Sequence, residues 1–165
     1  MSSMLTRSFS QALGFVKQQT GAHKDCLNFK ALLRSINNDC CSKEEKVATY
    51  LLKCREIILE MSKGQKVKFV LSLIYICELN LCEESAVCSL VPFVVTFVDQ
   101  ARTVVEKCVG YHAMTSMMNA SSNQQNCYLY VNTIIKDLND SKRPRVVKMA
   151  LKVTLHIFWF FYYTF

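Results

Sequence analysis

The stretch SKEEKVATYLLKCREIILEM, residues 42–61, decides how this chain is to be read. Val47, Tyr50, Leu51, Cys54, Ile57, Ile58 and Met61 recur at the 3.6-residue period of one helix face. Ser42 is followed three residues later by Glu45, the pattern of a capping box. The serine hydroxyl accepts from an exposed amide and the glutamate reaches back to the cap. Ser62-Lys63-Gly64 predicts the end of this helix, with Gly64 placed for a left-handed C-cap.

Working outward, the same period recurs on both sides. Upstream, Phe29, Leu32, Leu33 and Ile36 have the i, i+3, i+4, i+7 spacing of a helix face. Residues 1–27 read as an arm or short helix, with Leu5, Phe9, Leu13 and Val16 near one stripe and Gly14 and Gly21 weakening it. Downstream, residues 65–81 carry Val67, Val70, Leu71, Ile74 and Cys77. Residues 85–100 are apolar nearly all round, which predicts a fully buried helix that Pro92 should kink or divide. A further helix is expected over 102–118, then a polar turn over 119–123. Residues 124–139 follow, with Tyr128, Val131, Ile134, Ile135 and Leu138 in register. After a turn at 139–142, Pro144 suits the first turn of a last helix running into Phe158 and on to Phe165.

With four Gly and two Pro, the chain has few breaks. The fold class expected is all-α. Alternation at roughly 40 residues per helix pair is the mark of an α-solenoid of HEAT or armadillo-like helix pairs, although a compact bundle gives the same periodicity.

A length of 165 residues suffices for one domain with a real core. The composition, 51% hydrophobic and 20% charged, is that of a folding chain rather than a disordered one. The net charge of +7 suits an acidic surface, lipid or nucleic acid, without choosing between them; a solvated basic face is the plain alternative. Nine cysteines contain no C-x-x-C pair, and His23, His112 and His156 are scattered, so neither a zinc site nor a disulfide framework is expected. Reduced thiols acting as small buried hydrophobes fit a cytosolic setting, as does a start without a secretory signal pattern. Residues 153–165 form a divergent aromatic tail, shorter than the roughly 20 apolar residues that a membrane span needs. Extending that run backwards meets Lys152 and Lys148, so a tail anchor is the minor reading. A longer protein cut short here, or a reading frame that ends in foreign sequence, is the major one.

Catalytic patterns are missing: no Gly-rich phosphate loop, nucleophile elbow or H-E-x-x-H occurs. Glu44-Glu45 and Glu83-Glu84 sit at helix starts, where carboxylates favour the dipole. His112 reads as a packed or surface histidine, and nothing local singles out a nucleophilic cysteine. The expectation is therefore no enzyme, no cofactor and no metal. One charge feature invites a ligand: Lys63, Lys66 and Lys68, with Arg55 nearby, gather at the junction of two helices. Exposed amides and lysines there would suit a phosphoinositide headgroup; the alternative is a solvated helix end.

Several segments resemble one family. Val131-Asn132-Thr133-Ile134-Ile135-Lys136-Asp137-Leu138 resembles the N-T-x-x-K-D-L segment of the adaptins, the large subunits of vesicle-coat adaptor complexes. Glu106-Lys107-Cys108-Val109-Gly110-Tyr111 resembles their K-R-x-G-Y segment, with Cys108 in place of the arginine. Leu73-Ile74-Tyr75 through Leu79 resembles a family helix end, with Leu79-Asn80-Leu81 replacing its L-G-Y turn. Leu33-Arg34-Ser35-Ile36 resembles the opening L-V-R-x-I, and Lys43-Glu44-Glu45-Lys46 falls at its charged run. The likeness covers residues 28–152 and is nearest in wording to the epsilon-type chain, with the gamma, alpha and delta types open. It implies the N-terminal part of a solenoid trunk that pairs with a small sigma chain and, in a full complex, with beta and mu chains. Its place would be peripheral on trans-Golgi or endosomal membranes, without nucleic acid. In the alpha-type chain a lysine run contacts phosphoinositide; Lys66 and Lys68 match its outer positions and Val67 stands in the middle. Two readings from other classes, a helical nucleic-acid-binding module and a tail-anchored membrane protein, stand beside this one.

Overall fold

Helix α1 spans Lys43–Glu56, and the residue before it sets its start: Ser42 Oγ accepts from the Glu45 amide at 3.2 Å. The computed structural model describes residues 32–34, 36, 42–120 and 125–164; among these every regular element is a helix and none is a strand. After α1 come α2 (Lys63–Glu78), α3 (Glu84–Gln100), α4 (Val104–Asn119), α5 (Gln125–Leu138) and α6 (Pro144–Thr164). Leu32 and Ile36 are helical and buried, one turn apart. The arm expected over 1–27 lies outside the described residues, as do Phe29 and the cysteines at 26, 40 and 41. The chain forms two compact units, Met1–Ser72 and Leu73–Phe165.

In the first unit, α1 buries Val47, Tyr50, Leu51 and Cys54. The Tyr50 ring lies tilted against Phe69, centroids 6.4 Å apart. Ser72, fully buried, gives its hydrogen to the Phe69 carbonyl at 2.8 Å, which leaves Tyr50 to donate to Ser72 Oγ at 2.8 Å. Burial raises the Tyr50 phenol above its ordinary value and pushes the Cys54 thiol up to about 11, so both stay neutral.

The break between α1 and α2 differs from the sequence expectation. α1 ends at Glu56, and Ile57–Glu60 form turns in which the Glu60 and Met61 amides both donate to the Ile57 carbonyl. Gly64 is not a C-cap: it sits in the first turn of α2, and no described glycine has positive φ. Ser62 starts α2 instead. Its amide donates to Gln65 Oε1 at 2.8 Å, and its hydroxyl accepts from the Gln65 amide at 3.4 Å. This reciprocal Ser-x-x-Gln box satisfies two amides at once, which a glycine at 64 could not do.

The other end of α2 is a Schellman motif. The Leu81 amide donates to the Ile76 carbonyl and the Asn80 amide to the Cys77 carbonyl, both at 3.1 Å. Asn80 takes φ 50°, the left-handed conformation that glycine usually supplies. Leu81 and Ile76, the positions where an apolar pair accompanies this motif, are both buried.

In the second unit, α3 buries Val87, Leu90, Val91, Val94, Phe97 and Val98 and exposes Ser85, Ser89, Pro92, Thr96 and Asp99 along one stripe. The expectation of a fully buried helix is therefore corrected, and of the two outcomes expected at Pro92, a kink or a division, the division does not occur. The helix runs on through Pro92, which stands on the exposed side, where losing an intrahelical bond costs least. The thoroughly buried helix is α4, with Lys107, Val109, Gly110, Tyr111, Ala113, Met114, Ser116, Met117 and Met118 all inside. A full capping box between Thr103 and Glu106 sets its start.

Three residues, Ala101–Thr103, join α3 to α4, and five, Asn139–Arg143, join α5 to α6, so each pair is an antiparallel hairpin. The hairpins stack in register: α3 packs on α5 and α4 on α6. Lys136 of α5 meets Asp99 of α3, last turn to last turn, and His156 of α6 meets Asn119 at the end of α4. Equivalent helices thus run parallel in two layers, and equivalent starts (Glu84 and Gln125, Val104 and Pro144) lie roughly 40 residues apart.

The left-handed residue gives a direct test. Replacing Asn80 with Gly is expected to stabilise the protein by about 0.5–1 kcal/mol, and replacing it with Val to destabilise it by about 1–2 kcal/mol. Urea unfolding monitored by circular dichroism measures both; equal stability of the three proteins would contradict the φ of 50°.

Candidate functional site

At the start of α4 the Glu106 carboxylate gathers the Arg102 and Thr103 amides at 3.0 and 3.1 Å. The next residue, Lys107, points inward from this fixed turn. Its ammonium donates to both oxygens of Asp137, at 2.8 and 2.6 Å, and both side chains are 1% exposed. Tyr111, one turn along α4, donates its hydroxyl to Asp137 Oδ2 at 2.8 Å. Neither charge is where a helix alone would put it. Lys107 lies near the positive N-terminal end of α4, and Asp137 lies in the last turn of α5, where the dipole disfavours an anion. Only each other's presence accounts for the two positions. Burial above all, and then the bond to Asp137, raise the Tyr111 phenol well above its ordinary value.

Gly110, between Lys107 and Tyr111, serves packing. A Cβ there would run into Val98 Cγ2 and come within 3.2 Å of Phe97 Cδ1, so α4 approaches α3 more closely than any side chain would allow. Thr133 is buried on α5, Leu138 is half-buried, and Asn132 is exposed. Lys136 is exposed and pairs with Asp99 at 2.9 Å, a contact worth little by itself. Of the motif residues named from sequence, the structure brings Lys107, Tyr111 and Asp137 into one cluster and sets Gly110 against α3.

This cluster fixes which side of α5 faces in. The sequence stripe of Tyr128, Val131, Ile134, Ile135 and Leu138 is split: Ile134 is buried with Tyr130, Thr133 and Asp137, whereas Tyr128 (70% exposed), Val131 and Ile135 (51%) face out. The helix carries a charge inward beside Tyr130 and Ile134 and an apolar stripe outward, so its apolar residues lie on both sides rather than on one face.

The lysine group named for a headgroup is distributed differently. Arg55 is exposed in the last turn of α1; Lys63 is exposed, Lys66 half-buried and Lys68 exposed on α2. At about 100° per residue, Lys66 and Lys68 stand roughly 200° apart around the helix, with Val67 buried between them. Lys63 and Lys66 share a side; Lys68 does not join them. The Ser62–Gln65 box already occupies amides at that helix start.

Other reactive groups form no catalytic arrangement. Ser116 donates to Glu78 Oε1 at 2.6 Å rather than to His112, one turn earlier on its own helix. Burial lowers the His112 imidazole below its ordinary value against an opposing pull from Glu78. At the Schellman turn the Cys77 and Cys82 thiols are in hydrogen-bonding contact, which raises Cys77 and lowers Cys82. Glu44 and Glu45 lie in the first turn of α1, Glu84 in that of α3, and Glu83 at its N-cap. Among the described residues, no group of His, Cys, Asp and Glu is placed to hold a metal ion. Sequence reading missed the exposed bases and apolar residues of α6, whose signal was the alternation of Lys148 and Lys152 with Leu151 and Leu155. No family model, no curated protein and no solved structure matches the chain.

Replacing Lys107 with Met leaves Asp137 buried without its cation and is expected to cost about 3–5 kcal/mol in urea unfolding. The triple replacement Lys107→Met, Asp137→Leu, Tyr111→Phe should recover most of that. The folded chain holds the Tyr111 proton above the ordinary value of 10.0, so the unfolded chain loses it first. Stability from this group is complete below pH 10.0 and falls as pH rises further; Tyr111→Phe should make that alkaline fall shallower. An unchanged slope, or a Lys107→Met protein of normal stability, would refute the cluster.

Proposed function

We propose that this chain is a non-catalytic helical scaffold that holds other proteins against its stacked helices, and that it does so as an adaptin-type large chain of a vesicle-coat adaptor complex in intracellular protein transport. The observation that carries this reading is the meeting of Lys107, Tyr111 and Asp137. These residues belong to the two segments that most resemble adaptins, and they lock one helix hairpin to the next. Two hairpins stacked in parallel layers are the unit from which HEAT and armadillo solenoids are built, which favours the solenoid over the compact bundle.

The outward stripe of α5 supplies a surface for a partner. Tyr128, Val131 and Ile135 stand along one exposed side of a helix held from behind by a buried ion pair. Large apolar side chains in a row on a rigid support suit capture of another chain. On this reading the partners are a small sigma chain first and beta and mu chains in a full complex. The scaffold would sit on the cytoplasmic side of trans-Golgi or endosomal membranes. The nucleic-acid reading finds little on α5, where the one exposed base, Lys136, is engaged with Asp99. Against the tail-anchor reading, no helix among the described residues is long and apolar enough to cross a membrane.

Co-expression with a small sigma-type adaptor chain tests the proposal. The two are expected to co-elute on size exclusion. Ile135→Asp with Tyr128→Asp should abolish co-elution by at least tenfold, about 1.4 kcal/mol, without lowering the melting temperature. Retention on nucleic acid at physiological salt, with no sigma chain bound, would sink it.

A further inference from the structure

Helix α6 buries Val146, Ala150 and Val153 on one side. Its opposite side carries Arg145, Lys148 and Lys152 with Leu151, Leu155, Phe158, Trp159 and Tyr162, all exposed. At about 100° per residue these eight positions fall within an arc of roughly 140°. Phe158, Trp159 and Tyr162 are 69%, 64% and 80% exposed. The helix contains no acidic residue at all.

We propose that this face of α6 is a peripheral binding site for an anionic lipid bilayer, on which the helix lies in the plane of the interface. Three features select that occupant. The bases supply the charge that anionic headgroups attract, with no acid on the helix to oppose them. Trp, Tyr and Phe are the side chains that settle at the headgroup level, where a ring has one apolar body and, in Trp and Tyr, one polar tip. Leu151 and Leu155 alternate with the bases, and aliphatic side chains give acyl chains a contact that a stacked nucleobase would not use. Buried Val146, Ala150 and Val153 tie the helix to the protein, so it lies on the membrane rather than entering it. This site is separate from the lysines of α2 and does not depend on the adaptor reading.

Trp159 is the chain's one tryptophan, so it reports on this face alone. The full chain is titrated with phosphatidylcholine vesicles containing about 30% phosphatidylserine at physiological salt, in the range of surface charge where basic residues bind. The expected result is a blue shift of Trp159 emission and quenching by brominated acyl chains, both much reduced with pure phosphatidylcholine. Lys148→Gln with Lys152→Gln, which leaves the buried side of α6 intact, should weaken partitioning by roughly 30-fold. Phe158→Ser, a second and milder variant, should weaken binding while leaving the helical circular dichroism unchanged. No shift and no quenching with anionic vesicles would overturn the proposal, as would equal partitioning of the lysine variant. A Trp159 response to single-stranded oligonucleotide but not to vesicles would overturn it too and assign the face to nucleic acid. Loss of sigma-chain binding has no bearing on this result, so the two proposals fail separately.

Discussion

The bond between Lys107 and Asp137 governs the rest of the second unit. Two charges placed 1% exposed would each be costly alone, and they are held by two ammonium–carboxylate contacts and a tyrosine hydroxyl. Among the described residues no buried side-chain nitrogen or oxygen lacks a partner, so the cluster is complete. An apolar core tolerates sliding; a bidentate ion pair does not. Once Asp137 must face Lys107, the rotation of α5 about its own axis is set, and Tyr128, Val131 and Ile135 have to face outward. The pair therefore contributes orientation at least as much as stability.

Much of this was legible in the sequence where local rules suffice. The Ser42 cap and the buried face of Val47, Tyr50, Leu51 and Cys54 follow from hydrogen bonding and period within a single helix. The all-helical class follows from the same signals. Local reading failed where two local signals competed: Gly64 suggested a stop, whereas Ser62 with Gln65 made a start two residues earlier, and the reciprocal cap prevailed. It failed again on α5 because period analysis counts apolar residues as inward. An aspartate reads as outward until its distant partner is known, and that partner lies 30 residues away on another helix. Lys107 and Asp137 were named from their segments, but no rule of spacing could have joined them.

The glycines and their substitutes show the same division. At residue 80 the chain needs a left-handed conformation, and asparagine provides it through the local bonds of the Schellman turn. At residue 110 the backbone is an ordinary helix, and glycine is required only because Val98 and Phe97 press against it. The first requirement is a property of six consecutive residues, 76–81. The second exists only after α3 and α4 have packed, so it is invisible in one sequence. Pro92 completes the series: a residue expected to kink or divide a helix leaves it continuous, standing where the packing turns it outward.

These constraints also explain why the exposed faces carry more information than the buried ones. In stacked hairpins, α4 is covered on nearly every side, and its residues answer to volume. α5 and α6 each bury one side and present the other. Folding of this unit leaves those outward residues unconstrained, yet they are not random. α5 offers Tyr128, Val131 and Ile135 without a free base among them, and α6 offers bases and aromatics without an acid. An apolar row on a rotationally fixed helix suits a protein partner; a basic amphipathic face with a terminal aromatic group suits an anionic interface. Two adjacent helices of one hairpin thus present different chemistries, an apolar row on α5 and a basic, aromatic face on α6.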